Sequence, residues 1–117
     1  MDEPVLKLLY DAHLAAQAIE SFCSGKAEAD YLEDLMLRSA VERQYEIIGE
    51  ALNRLRKQSP QTTVRISECH RIIGFRNVLA HAYDVVDDRI SWDIVRNKLP
   101  VLRQEITMLI NEVEGAA

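Results

Sequence analysis

The stretch DYLEDLMLRSAVERQYEIIGEALNRLRK, residues 30–57, decides the fold. Leu32, Leu35, Met36, Ala40, Ile47, Ile48, Ala51, Leu52 and Leu55 recur at three- and four-residue intervals, which puts them on one stripe of an α-helix and not on alternate faces of a strand. Asp30 and Glu33 stand three apart, as in a capping pair, and Ser59-Pro60 supplies the stop. A helix from Asp30 to Lys57 would be about 40 Å long at 1.5 Å per residue. A rod of that length needs other rods beside it to cover its apolar stripe, so the fold is predicted as all-α.

The flanking sequence agrees. Pro4 suits a helix start and Gly25 a helix stop, and Val5, Leu8, Leu9, Ala12, Ala16 and Ile19 keep helical spacing between them. Residues 61–66 read as a loop. Ser67 reads as the cap of a third helix ending near Ala82 or Tyr83, and Asp84 to Asp88 as a turn. A fourth helix from Asp88 carries Ile90, Trp92, Ile94 and Val95. Pro100 either kinks that helix or opens a new one, because proline suits a first turn and not an interior. Val101 to Val113 is amphipathic again. The expected architecture is a single domain over residues 1–117, an antiparallel bundle of four helices, or five if Pro100 breaks the last.

Composition bounds what such a bundle can be. The chain has 117 residues, 48% hydrophobic and 28% charged, with Gly 4 and Pro 3. Those values exclude a disordered, collagen-like or linker-like chain and argue against a turn-rich all-β fold. The N-terminus lacks a basic start and apolar run, and no apolar stretch approaches the roughly 18–20 residues that cross a bilayer, so a cytoplasmic location is expected. Cys23 and Cys69 suggest no disulfide framework. Cys69, His70 and His81 have no zinc-site spacing, so neither a metal nor another cofactor is called for. The net charge of −5 disfavours a generally basic nucleic-acid binder. The charge is uneven, however: residues 54–76 carry net +5 between flanks of −7 and −3. Either that segment holds a phosphate-bearing partner, or it is a solvated helix end and loop.

Chemistry concentrates in the third helix, CHRIIGFRNVLAHAY, residues 69–83. At 100° per residue His70, Gly74, Asn77 and His81 share one stripe, while Ile72, Phe75, Leu79 and the stem of Arg76 share a neighbouring one. Arg76 and His81 stand about 140° apart around the axis. One straight helix therefore does not present them side by side, and a second copy across a two-fold axis would. Gly74 leaves room for another backbone, so a composite site at a homodimer interface is expected. Arginine grips phosphate oxygens in a planar fork, and histidine exchanges protons near neutral pH. Together, without a carboxylate cluster, they suit RNA cleavage by its own 2′-hydroxyl: His81 as base or acid, Arg76 stabilising charge at phosphorus, Asn77 orienting the imidazole or the substrate. The plain alternatives are a structural histidine, an arginine serving as a salt-bridge partner, and Glu42, Glu46 and Glu50 as a solvated or ion-paired stripe.

The run Arg76-Asn77-Val78-Leu79-Ala80-His81-Ala82-Tyr83 resembles the R-x4-H-x-Y signature of HepT-like toxins in the HEPN superfamily. Ile73-Gly74-Phe75 before it, Ile48-Gly49-Glu50-Ala51, and Trp92-Asp93-Ile94-Val95 followed by Leu99-Pro100 resemble further segments of that family. Glu68-Cys69 stand where the family often has Pro-Trp. The resemblance implies a dimerising helical bundle and a metal-independent endoribonuclease, with Arg76 and His81 catalytic and Asn77 the polar residue after the motif arginine; Arg71, in the basic segment that leads into the site, is read as a supporting, substrate-binding residue. It implies RNA as substrate, with transfer RNA one reported class. It also implies an MntA-like minimal nucleotidyltransferase antitoxin that silences the toxin by AMP transfer to Tyr83. The competing reading is a non-catalytic adaptor subunit of a nucleotidyltransferase.

Overall fold

The computed structural model describes residues 4–81 and 86–116. The order is α1 (Val5–Cys23), α2 (Glu28–Glu33), α3 (Leu35–Gln58), α4 (Pro60–Thr63), α5 (Cys69–His81), α6 (Asp88–Asp93) and α7 (Leu99–Ala116). No strand occurs among the described residues. The all-α bundle expected from the sequence is observed. The expected end of the third helix at Ala82 or Tyr83, and most of the turn after it, lie outside the described residues.

Partner residues fix the directions. Tyr10 and Glu20 of α1 bond Glu114 and Arg103 of α7, so these two rods run antiparallel. Tyr45 of α3 packs on Phe75, while Arg56 near the end of α3 lies beside Cys69 at the start of α5, so α3 and α5 also run antiparallel. The core between them includes Leu8, Leu9 and Ile19 from α1, Ile48, Leu52 and Leu55 from α3, Ile72 from α5, and Leu99, Leu102 and Ile106 from α7. Burying each such side chain contributes about 1.5–3 kcal/mol.

The sequence expectation fails at four places, each for a local reason. The rod predicted from Asp30 is broken at Asp34, whose extended backbone ends α2 and whose carboxylate accepts from the Leu37 N–H to start α3. Arg38 donates to the carbonyls of Tyr31 and Leu32, at 3.3 and 2.6 Å, satisfying groups freed by the break. Leu35 and Met36 are consequently exposed; the buried stripe runs through Leu37, Val41, Tyr45, Ile48, Leu52 and Leu55. Asp30 caps α2 by accepting from the Ala27 N–H, not by pairing with Glu33. Pro60, expected only as a stop, opens the short helix α4, which takes up the first half of the expected loop. Ser67 gives its hydroxyl and N–H to Glu105 of α7 rather than capping α5.

α7 begins at Leu99, so Pro100 stands in its first turn, the second of the two outcomes expected for it. A π-helical turn at Ile94–Lys98 joins α6 to α7, with the Leu99 N–H reaching the Ile94 carbonyl five residues back. Proline cannot donate to the carbonyl four residues earlier and its ring collides with it; a turn already wound one residue wider absorbs the mismatch. Helical hydrogen bonding thus passes from α6 through the π-helical turn into α7.

Candidate functional site

Helix α5 divides as its spacing predicts. Ile72, Ile73 and Leu79 are buried, and Phe75 is half-buried, its ring 5.1 Å from that of Tyr45 in an edge-on contact. His70, Arg71, Gly74, Asn77 and His81 are exposed. A Cβ built on Gly74 meets no neighbouring atom within 4 Å among the described residues, so this polar face is open there.

Arg76 sits on the opposite, packed face. Its stem crosses α3 at Gly49, where an added Cβ would fall within 2.6 Å of the Arg76 Cγ and closer still to its Cβ. Only a residue without a side chain permits that crossing. The stem then carries the guanidinium to the surface. There Nη2 lies 3.0 Å from Oε2 of Glu50, and Nη1 donates to Oδ1 of Asn77 at 3.2 Å. The other oxygen of Glu50 accepts from Nε of Arg54 at 2.9 Å. Arg76, Arg54, Glu50, Arg43, Glu46 and Asp11 border a groove of about 220 Å³ floored by Leu8, Ile47 and Ala51.

The structure thus joins Arg76 to Asn77 and does not join it to His81, which closes α5 on the open face. No hydrogen bond or ion pair links the two among the described residues. Arg71 lies on the far side of α5 from Arg76. Tyr83 is outside the described residues. Three cations of the basic segment are ion-paired: Arg54 and Arg76 share Glu50, and Arg65 is held bidentately by Glu112. Cys69 is buried, which pushes its thiol up, and it stands about 18 Å along the helix from His81.

Glu42, Glu46 and Glu50 form an ion-paired stripe only in part. Glu46 pairs with Arg43, and Glu50 with Arg54 and Arg76. Glu42 is half-buried; burial, and then the charge of Asp88, hold its carboxyl above the usual range against the opposing pull of Arg38. Sequence reasoning noted Gly49 and Glu50 without giving either a part in the site. The available signal was a glycine in mid-helix, which costs about 1 kcal/mol and marks a close approach.

An all-α bundle whose motif helix presents a histidine on an open face and an arginine at its packed edge is the class these features define. A family model described as "Ribonuclease HepT-like" matches residues 13–109, and the chain belongs to that family. "Probable ribonuclease HepT" of Thermococcus cleftensis is 32% identical over 105 residues, covering 86% of this chain and 91% of that one. "Putative RNase MJ0127" of Methanocaldococcus jannaschii is 31% identical over 115 residues, 95% of this chain and 91% of that one. "Gamma-glutamylcyclotransferase and putative RNase MJ0434" of the same organism is 30% identical over 98 residues, and the chain spans 44% of its length. No solved structure gives a significant match. No helix among the described residues is long and apolar enough to cross a membrane.

Proposed function

We propose that the protein is a metal-independent endoribonuclease and the toxin of a toxin–antitoxin pair, acting as a homodimer on RNA, with transfer RNA the candidate class. The observation that carries this reading is the open polar face of α5, in a chain of the HepT-like ribonuclease family. His81 and Asn77 lie on that face, Gly74 leaves a clearing in it, and Arg76 comes round its edge to Asn77. A two-fold axis beside α5 would set Arg76 of one protomer near His81 of the partner subunit. That would complete the pair that the 140° offset separates within one chain. His81 then takes the 2′-hydroxyl proton or gives one to the leaving oxygen, and Arg76 stabilises the charge gathering on phosphorus.

AMP transfer to Tyr83 by a nucleotidyltransferase antitoxin accounts for control. Tyr83 follows Arg76 by seven residues. The added phosphodiester and nucleoside would fill the cleft and neutralise the cation meant for RNA phosphate. The experiment is induced expression of the parent and of His81→Ala without the partner, with cleaved RNA ends mapped. Growth arrest and new RNA ends from the parent alone are expected; equal growth with both proteins soluble would overturn the reading. Tyr83→Phe co-expressed with the partner should stay toxic, and its full silencing would move the modification elsewhere.

A further inference from the structure

We infer that Gly49 and Glu50 form a seat that fixes the Arg76 guanidinium in the orientation in which it meets RNA phosphate, which makes Glu50 a positioning residue. The inference rests on the ribonuclease reading. The stem of Arg76 crosses close against Gly49, where any added side chain would meet its Cβ and Cγ. The tip is held from two helices: Glu50 of α3 takes Nη2 and Asn77 of α5 takes Nη1. A planar group with one terminal nitrogen ion-paired and the other hydrogen-bonded is restrained in its plane, and its remaining N–H groups are left for a phosphate. Glu50 is in turn steadied by Arg54 on its second oxygen, so the holding carboxylate does not swing freely.

The sign of the charge supports orientation over attraction. A carboxylate beside the substrate-binding cation weakens the pull on RNA. Deleting it should favour RNA binding if attraction were all that mattered. A seat predicts the opposite balance, a loss in the chemical step without weaker binding, because orientation is realised at the reacting phosphate.

The test uses full-length protein, with unfractionated transfer RNA as substrate. Glu50→Ala should lower kcat by about 10- to 100-fold with KM unchanged or lower, and Glu50→Gln, which keeps one acceptor, should recover part of the loss. Glu112→Gln, which removes a remote surface carboxylate on α7, serves as the control and should match the parent. In parallel, the Nε–Hε group of Arg76, read by nitrogen-15 relaxation, should be ordered in the parent and mobile in Glu50→Ala. Parent-like kcat in Glu50→Ala, or an Arg76 side chain equally ordered in both, would overturn the seat. A parent that cleaves no RNA would overturn the ribonuclease reading instead, and the order of the Arg76 side chain would then decide the seat alone.

Discussion

Gly49→Ala tests the crossing of α3 and α5 with one methyl group. The new Cβ would fall within 2.6 Å of Arg76 Cγ, closer still to its Cβ, and 3.4 Å from the Ile72 carbonyl oxygen. Carbon atoms rest about 3.5–4.0 Å apart, so the helices must part by roughly 1 Å. Rotation about χ1 can withdraw Cγ, but Cβ is fixed to the α5 backbone. The two helices are also tied by the Tyr45–Phe75 contact, so the gap cannot open at one point alone. Overpacking of this kind costs about 1–3 kcal/mol, and the fixed obstacle puts this case near 3. Alanine returns about 1 kcal/mol of helix propensity, which leaves a net loss of about 2 kcal/mol. A chain of this length has an unfolding entropy near 0.25 kcal/mol/K, so Tm should fall by about 8 °C. Displacing Arg76 by about 1 Å should also slow RNA cleavage by about 100-fold. Thermal unfolding followed by far-UV circular dichroism and single-turnover cleavage read the two effects. A variant that melts at or above the parent temperature would refute the reasoning, because propensity would then have met no clash.

Gly74→Ala makes the same change on the open face, where among the described residues nothing lies within 4 Å of the added methyl. Dilute protein should gain about 1 kcal/mol of helix propensity, whereas self-association measured by sedimentation should weaken; unchanged association would put the two-fold axis elsewhere. Cleavage should persist in EDTA, and a loss reversed by added metal would sink the metal-free mechanism. Glu42→Gln should melt above the parent at about pH 7 and level with it below the ordinary carboxylate range. The reason is that burial and Asp88 raise the folded-state carboxyl, so stability falls as pH rises from the ordinary value through the raised one. A titration with the opposite slope would show that Arg38 outweighs both.

The sequence was most legible where one period ran undisturbed. Leu8, Leu9, Ala12, Ala16 and Ile19 of α1 are all buried as their spacing requires. It misled where apolar residues were too dense to choose among. Leu32, Leu35, Met36 and Leu37 fit a helical stripe in more than one way, and only the Asp34 cap and the Arg38 guanidinium settle the break. Those are contacts between side chain and backbone, and hydrophobic periodicity carries no record of them. Pro100 was ambiguous for the same reason, since the π-helical turn that accommodates it is a matter of hydrogen-bond register.

On α5 both stripes were readable, yet their angular bookkeeping leaves a conflict that only the neighbouring helix resolves. Ile72 and Leu79 place the packed face of α5 where Arg76 also points, and a charged side chain there is costly unless it is led out and paired. A glycine in the middle of α3 is likewise unfavourable taken alone. Brought together, each removes the other's penalty: Gly49 gives the arginine stem its passage. The next residue, turned about 100° along α3, then stands at the groove rim where the guanidinium emerges. Glu50 occupies that position, 3.0 Å from Nη2. Two residues adjacent in sequence thus meet one side chain of another helix, the first by giving it clearance and the second by pairing with its guanidinium. Local rules fail together at Gly49 and Arg76 because each accommodates the other, and under the proposed function the arginine led out there is the one that meets RNA phosphate.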